Sequence, residues 1–208
     1  MARYGFVINL DSCQDHRNCM VACKHKTCSF LGSHYIECMT NMTTDKYPYP
    51  NSNTYTIPVL CQHCNEPECV PACPHGVFTK REDGIVTVGD TTVCMSCDDK
   101  PCLKACPFGV IDLDPTDGRI GKCDMCVDLV DKGETPACAF GCWTGSILFG
   151  DFDDPDSVVS QTVAAWEETG YVHQLKAGNG KGGSVYYLLS RKQWENMDNL
   201  YSPAWHNA

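Results

Sequence analysis

Apolar residues come in short runs separated by turn-forming positions, with no long helical period. Residues 4–9, YGFVIN, predict a strand at the start of the chain. Residues 77–79 and 85–88 flank Asp83-Gly84, and residues 110–113 and 119–121 flank Asp117-Gly118. Each pair predicts a β-hairpin closed on an Asp-Gly turn. The segments MVA (20–22), VPA (70–72) and LKA (103–105) predict short helix starts. Residues 157–168 predict a capped helix ended by Gly170. After it, GNGKGG (178–183) predicts a turn and SVYYLL (184–189) a strand. Residues 24–58 lack any such period. They are polar, contain Pro48, Pro50 and Pro58, and predict a long loop insertion of the kind that serves as a functional or docking surface.

The same pattern bounds location and partners. No apolar run approaches the ~20 residues that span a bilayer, so direct membrane insertion is not expected. The opening MARYGFVINLD has no secretory apolar region and no twin-arginine pair. The expected location is the cytoplasm, or an exported site reached only with a partner that carries the signal. A net charge of −10 with no basic stripe argues against nucleic acid. The acid of residues 151–156 and of Glu167 and Glu168 reads as solvated surface.

Cysteine changes the picture most. There are 17 in 208 residues, a density typical of disulfide scaffolds. Such scaffolds are usually short, however, and an odd count leaves one thiol over. Sixteen positions instead form four tight groups: Cys13, His16, Cys19 and Cys23; Cys61, Cys64, Cys69 and Cys73; Cys94, Cys97, Cys102 and Cys106; Cys123, Cys126, Cys138 and Cys142. CQHCNEPECVPACPHGVF and CMSCDDKPCLKACPFGVI are one motif twice, C-x2-C-x4-C-x3-C-P-x-G-V, with starts 33 residues apart. Soft thiolates at this spacing suit iron–sulfur clusters, with three on one loop and the fourth, before the proline, turned to a second cluster. Zinc, which takes two C-x2-C pairs per ion, does not need the C-P ending.

RYGFVINLDSC, VLCQHCNEPECVPACP, GKCDMCVDLVDKGETPACAFGC, FGDFDDPDS and SVYYL together resemble the iron–sulfur electron-transfer subunit of dimethyl sulfoxide reductase-type molybdenum or tungsten enzymes. Similar subunits serve polysulfide and arsenate reductases and a pyrogallol–phloroglucinol transhydroxylase. The resemblance implies an α+β fold of duplicated ferredoxin-like halves binding four [4Fe–4S] clusters, with a loop insertion and a C-terminal extension. Four segments are expected: 1–57 with the first motif and the insertion, 58–122 with the two central motifs, 123–150 with the fourth motif, and 151–208 as an extension on the core or a partner. The resemblance also implies the ligand sets: Cys61, Cys64 and Cys69 with Cys106; Cys94, Cys97 and Cys102 with Cys73; Cys123, Cys126 and Cys138 with Cys23; Cys13, position 16 and Cys19 with Cys142. It implies a large partner with a molybdenum or tungsten bis-pterin cofactor, and a separate membrane anchor or soluble donor at the other end of the relay.

This sequence departs from the family where His16 replaces a cysteine and Trp143 replaces a common proline. Imidazole as the fourth ligand, a [3Fe–4S] centre, Cys28 or Cys38 folding back, and loss of the cluster all stand at this point. A neutral imidazole in place of a thiolate raises the reduction potential. Cys28 and Cys38 otherwise read as buried thiols outside the groups. His63 and His75 read as loop residues, and Lys24, Lys80, Lys104 and Lys122 as solvated surface, with tuning of cluster potentials as the alternative. Trp166, Trp194 and Trp205 read as packing or interface residues. No Ser/His/Asp set, phosphate loop or G-x-G-x-x-G is present, so the chain is not expected to catalyse a reaction on its own. A free polyferredoxin carrier and a structural zinc module are the rival functions. Short length, no export signal and CQDHRNC lean, by analogy alone, toward the transhydroxylase-like or aromatic-reductase branch.

Overall fold

A computed structural model describes residues 2–30, 32–42, 53–177 and 180–202. Strand β1 (Tyr4–Asn9) forms as expected and is buried on both faces: Phe6 and Ile8 enter the main core, and Val7 packs on the opposite side. Helix α1 (Asn18–Thr27) contains MVA but runs four residues into the stretch expected to be loop. That stretch also holds β2 (Ile36–Thr40), antiparallel to β3 (Thr56–Leu60) over five rungs. The polar insertion is therefore a two-stranded arm. Its apolar positions, Ile36 and Cys38 with Ile57 and Val59, are too few to stand out before the partner strand covers them. Pro48 and Pro50 lie outside the described residues.

The central motifs follow expectation. Helix α2 (Cys69–Ala72) precedes the hairpin of β4 (Phe78–Lys80) and β5 (Val86–Val88). Helix α3 (Pro101–Ala105) precedes the hairpin of β6 (Asp112–Leu113) and β7 (Ile120–Gly121). Gly84 and Gly118 close these hairpins at φ 89° and 76°, in the region where only glycine is unstrained. Asp112 ties the arm to the second hairpin by accepting the Ser33 hydroxyl at 2.7 Å and the His34 N–H at 3.0 Å.

Helices α4 (Val127–Val130) and α5 (Ala137–Phe140) lead to β8 (Ile147–Asp151). The expected tail helix is α6 (Val158–Glu167), whose Val159 covers Val7 and Leu188. Strand β9 (Val172–His173) precedes β10 (Lys176–Ala177) and β11 (Gly180–Lys181), which pair across the expected turn; β12 (Val185–Leu188) ends the series. The main sheet runs β8-β1-β12-β9. Strand β12 is parallel to β1, with Phe6 opposite Val185 and Ile8 opposite Tyr187. The tail is thus woven into the sheet beside the first strand, not laid over a finished core. Trp194 stacks on His173 at 4.6 Å, and Trp166 packs with the cluster of Val7 and Val159. Trp205 lies outside the described residues. Among the described residues no helix is long and apolar enough to cross a membrane.

The tail also clamps a cysteine loop. The N–H groups of Gly183 and Ser184 donate to the Gln62 carbonyl at 3.2 and 3.0 Å. A Cβ on Gly183 would lie 2.3 Å from the His63 carbonyl oxygen and 2.7 Å from Cys64 Cα. Gly183→Ala is expected to cost about 1–3 kcal/mol and to lower Tm by roughly 2–10 °C, measured by thermal unfolding of the iron-loaded chain. An unchanged Tm would mean that the loop yields freely.

Candidate metal centres

Every cysteine is a free thiol, and the fold brings the fifteen motif cysteines into four groups drawn from distant parts of the chain. Cys61, Cys64, Cys69 and Cys106 line one cavity, closed by Pro67, Pro107 and Phe108. Burial, followed by the neighbouring sulfurs Cys61 and Cys106, pushes the Cys64 thiol up to about 12. Burial and Cys61 push Cys69 up to about 11. In the second set, Cys94 and Cys102 are raised by burial and then by Cys73, with Cys97 also acting on Cys94.

Helices α1 and α5 meet where Gly141 abuts Ala22: a Cβ there would lie 2.7 Å from the alanine methyl. This approach brings Cys23 to Cys126 and Cys138. Burial and Cys126 push Cys23 up to about 12, and Cys138 stands well above the usual thiol range through burial and Cys23. Cys123 joins them, raised by burial and by Cys138.

The last set is Cys13, Cys19 and Cys142, which line a cavity together with His16 and Cys38. The sulfurs of Cys19 and Cys38 are 3.8 Å apart. Their contact keeps the proton on Cys38, whose pKa rises, and lowers that of Cys19. Cys38 is buried, at 2% exposure, as expected. Cys28 is not: it caps α1 at the surface, where its thiol donates to the His25 carbonyl. His16 is exposed on its loop.

Three loops share one backbone device. Asp15, His63 and Met125 each precede the second ligand position of their group, and each has positive φ, at 56°, 45° and 63°. A left-handed residue in a tight turn swings successive N–H groups to one side, which makes a nest for an anion. His16 therefore occupies the same place in its loop as Cys64 and Cys126 do in theirs.

The lysines correct an expectation. Lys104 is exposed as expected. Lys122 is only 3% exposed, and Lys80 is half-buried with its ammonium on three backbone carbonyls. Lys24 is also part-buried and donates to the carbonyls of Phe30 and Ser33. His75 is an exposed loop residue, while His63 is fully buried, its Nδ1 accepting the Val86 N–H at 2.9 Å. Burial, with Lys122 and Lys80 adding to it, holds His63 well below the usual histidine range and so neutral. These interior roles left no periodic trace; the one local hint was that Lys122 directly precedes Cys123.

The residues present fit iron–sulfur clusters. The donors are soft thiols in sets of four, or three with an imidazole. Backbone nests in three of the loops, and the ammonium groups of Lys80 and Lys122 beside the Cys61 set, suit an anionic group. The sets are looser than single-ion sites: among the described residues no three His, Cys, Asp or Glu side chains stand close enough to hold one ion. A cube presents a separate iron to each thiolate. Ligand thiols must lose their protons to bind metal, and several here hold them up to about 12. Loading the metal-free chain with iron and sulfide is therefore expected to release protons and to improve from about pH 7 to about pH 9. A dye in weak buffer reads the release, and pH-independent loading would contradict it.

Comparison with known proteins agrees. The family model described as "4Fe-4S dicluster domain" matches residues 52–152. The chain is 33% identical to a subunit of the sulfite dehydrogenase of Allochromatium vinosum, over 95% of this chain and 88% of the relative. It is 30% identical to a subunit of the tetrathionate reductase of Salmonella typhimurium, over 89% and 72%. It is 32% identical to one polypeptide of the anaerobic dimethyl sulfoxide reductase of Escherichia coli, over 73% and 75%. The chain belongs to the family of iron–sulfur electron-transfer subunits of dimethyl sulfoxide reductase-type oxidoreductases.

Proposed function

We propose that the four thiol sets hold four [4Fe–4S] clusters in a line, within two ferredoxin-like halves, and that the line connects a molybdenum or tungsten bis-pterin catalytic subunit to an external donor or acceptor. When bound, such clusters take up and pass on single electrons. The carrying observation is the order of the sets. Helix α2 runs from Cys69 to the edge of Cys73, and α3 from Cys102 to the edge of Cys106, so they link the Cys94 set to the Cys61 set. Cys123 lies near enough to Cys61 to feel its charge, which links the Cys61 set to the Cys123 set. Helices α1 and α5 link the third to the Cys13 set, through Cys19 and Cys23 and through Cys138 and Cys142. Each residue pair holds neighbouring centres a few side chains apart, as a relay needs.

At the Cys13 end we assign the fourth ligand to His16, because its loop matches those of Cys64 and Cys126. Large apolar side chains stand exposed around this end: Val21 at 56% on α1, Phe140 at 86% on α5, and Trp143 at 80% after Cys142. Such a patch suits a fixed partner, and the relatives' names as subunits support the same reading over a free carrier. The catalytic chemistry then lies in the partner.

The test is anaerobic purification with iron and sulfide analysis. The expected result is a brown protein with about sixteen irons per chain that co-purifies with a large metal–pterin subunit. Colourless protein with zinc and no sulfide sinks the cluster assignment; a brown monomer that reduces several unrelated enzymes sinks the subunit assignment.

A further inference from the structure

Two ammonium groups lie against the Cys61 set, Lys122 buried and Lys80 half-buried, and neither is hydrogen-bonded to a carboxylate; Asp83 acts on Lys80 only through space and is itself paired with Arg81 at 2.7 Å. Lys80 Nζ donates to the carbonyls of His63 at 3.1 Å, Cys64 at 2.8 Å and Gly84 at 2.7 Å. Three acceptors use all three N–H bonds of an ammonium, whereas a neutral amine has two. Lys122 Nζ donates to the carbonyls of Val86 at 2.6 Å and Cys123 at 2.9 Å, and its side chain lines the cavity of Cys61, Cys64, Cys69 and Cys106. Among the described residues neither forms an ion pair with a carboxylate. His63 sits among them. Its Nδ1 accepts from Val86, so the ring proton is on Nε2, which is buried without a partner.

The other sets differ. Near the third and fourth, Lys26 is paired with Asp128 and Arg17 with Asp15, while Lys24, next to Cys23, places its ammonium on the Phe30 and Ser33 carbonyls of the insertion and not on a carbonyl of a cysteine loop. Near the Cys94 set stands one part-exposed lysine, Lys100, on the Cys97 carbonyl. Charges are kept inside proteins when an opposite charge meets them. A cluster bound by four thiolates is anionic, and its net charge and the hydrogen bonds around it set its reduction potential.

We propose that Lys80 and Lys122 are the counter-charges of the centre held by Cys61, Cys64, Cys69 and Cys106, and that they raise its reduction potential above those of the other all-cysteine centres. This rests on the reading that these cysteines bind a [4Fe–4S] cluster. The two lysines come from different elements, one from the end of β4 and one from the segment after β7, so their convergence is a property of the fold. Their consequence is direction: an electron entering the line settles at this station more readily than at the Cys94 or Cys123 sets.

The experiment is a redox titration of the iron-loaded full chain, followed by electron paramagnetic resonance, on wild type, Lys80→Met, Lys122→Met and the double variant. Expected is a shift of one and the same signal to more negative potential in each single variant, and further in the double, at unchanged iron content. Lys80→Arg, which keeps the charge, is expected to hold the wild-type midpoint. The signal that moves is also expected to be the one missing from Cys106→Ala. Unmoved midpoints at full iron content overturn the proposal alone, as does an equal shift of all signals or an arginine variant that behaves like methionine. If Lys122→Met does not accumulate, Lys80→Met decides, because Lys80 is half-buried. Wild-type protein without iron and sulfide overturns the parent reading, and this one with it.

Discussion

Cys106→Ala is expected to strip a centre from the Cys61 loop, 45 positions upstream, while the centre of its own motif survives. Cys106 shares a cavity with Cys61, Cys64 and Cys69 and feels the charge of Cys61. Cys94 and Cys102 feel Cys73 instead. The crossing follows from α2 and α3, which pack against each other and carry each fourth cysteine across to the other loop. The variant should lose roughly a quarter of its iron, or one iron with the signal of a three-iron centre. Electron flow through the assembled complex should stop, because the missing centre is an interior one. Iron analysis and resonance spectra check this. If the centre of Cys94, Cys97 and Cys102 vanished instead, each motif would serve its own cluster and the relay order would be wrong.

His16→Cys is expected to lower the midpoint of a single centre with no change in iron content, since a thiolate adds negative charge where the imidazole was neutral. His16→Ala should lose about one iron per chain and show a three-iron signal. Cys38→Ser is the control, because Cys38 is buried in the same cavity and touches the Cys19 sulfur at 3.8 Å. It should keep its iron, with at most a moved midpoint from the altered hydrogen bond to Cys19. Loss of iron in Cys38→Ser, together with full retention in His16→Ala, would transfer the ligand role to Cys38. The surface position of Cys28 makes Cys28→Ser the silent variant of the series.

Much of the site was legible because cluster chemistry is local. A loop that wraps one corner of a cube needs ligands two or three residues apart, and that spacing survives in any sequence that keeps the cluster. The hairpins were legible for a similar reason: an Asp-Gly turn requires positive φ within four residues. The arm of β2 and β3 was not. Its strands are five residues each in a polar setting, and their register comes from one another. Lys80 and Lys122 were misread because a lysine's surroundings, unlike a turn's backbone, are supplied by remote elements.

Spacing and residue type thus pointed to the chemistry of each loop, and to which position of the first motif is unusual. The pairing of loops, the place of β12 beside β1, the seat of Gly183 on the Cys61–Cys64 loop and the seating of Lys80 and Lys122 on backbone carbonyls belong to the folded chain. Coordination chemistry acts over a few bonds and writes itself into neighbouring residues. Burial, charge compensation and strand register act across space, between residues as far apart as Phe6 and Val185, and exist only once the chain has closed around them.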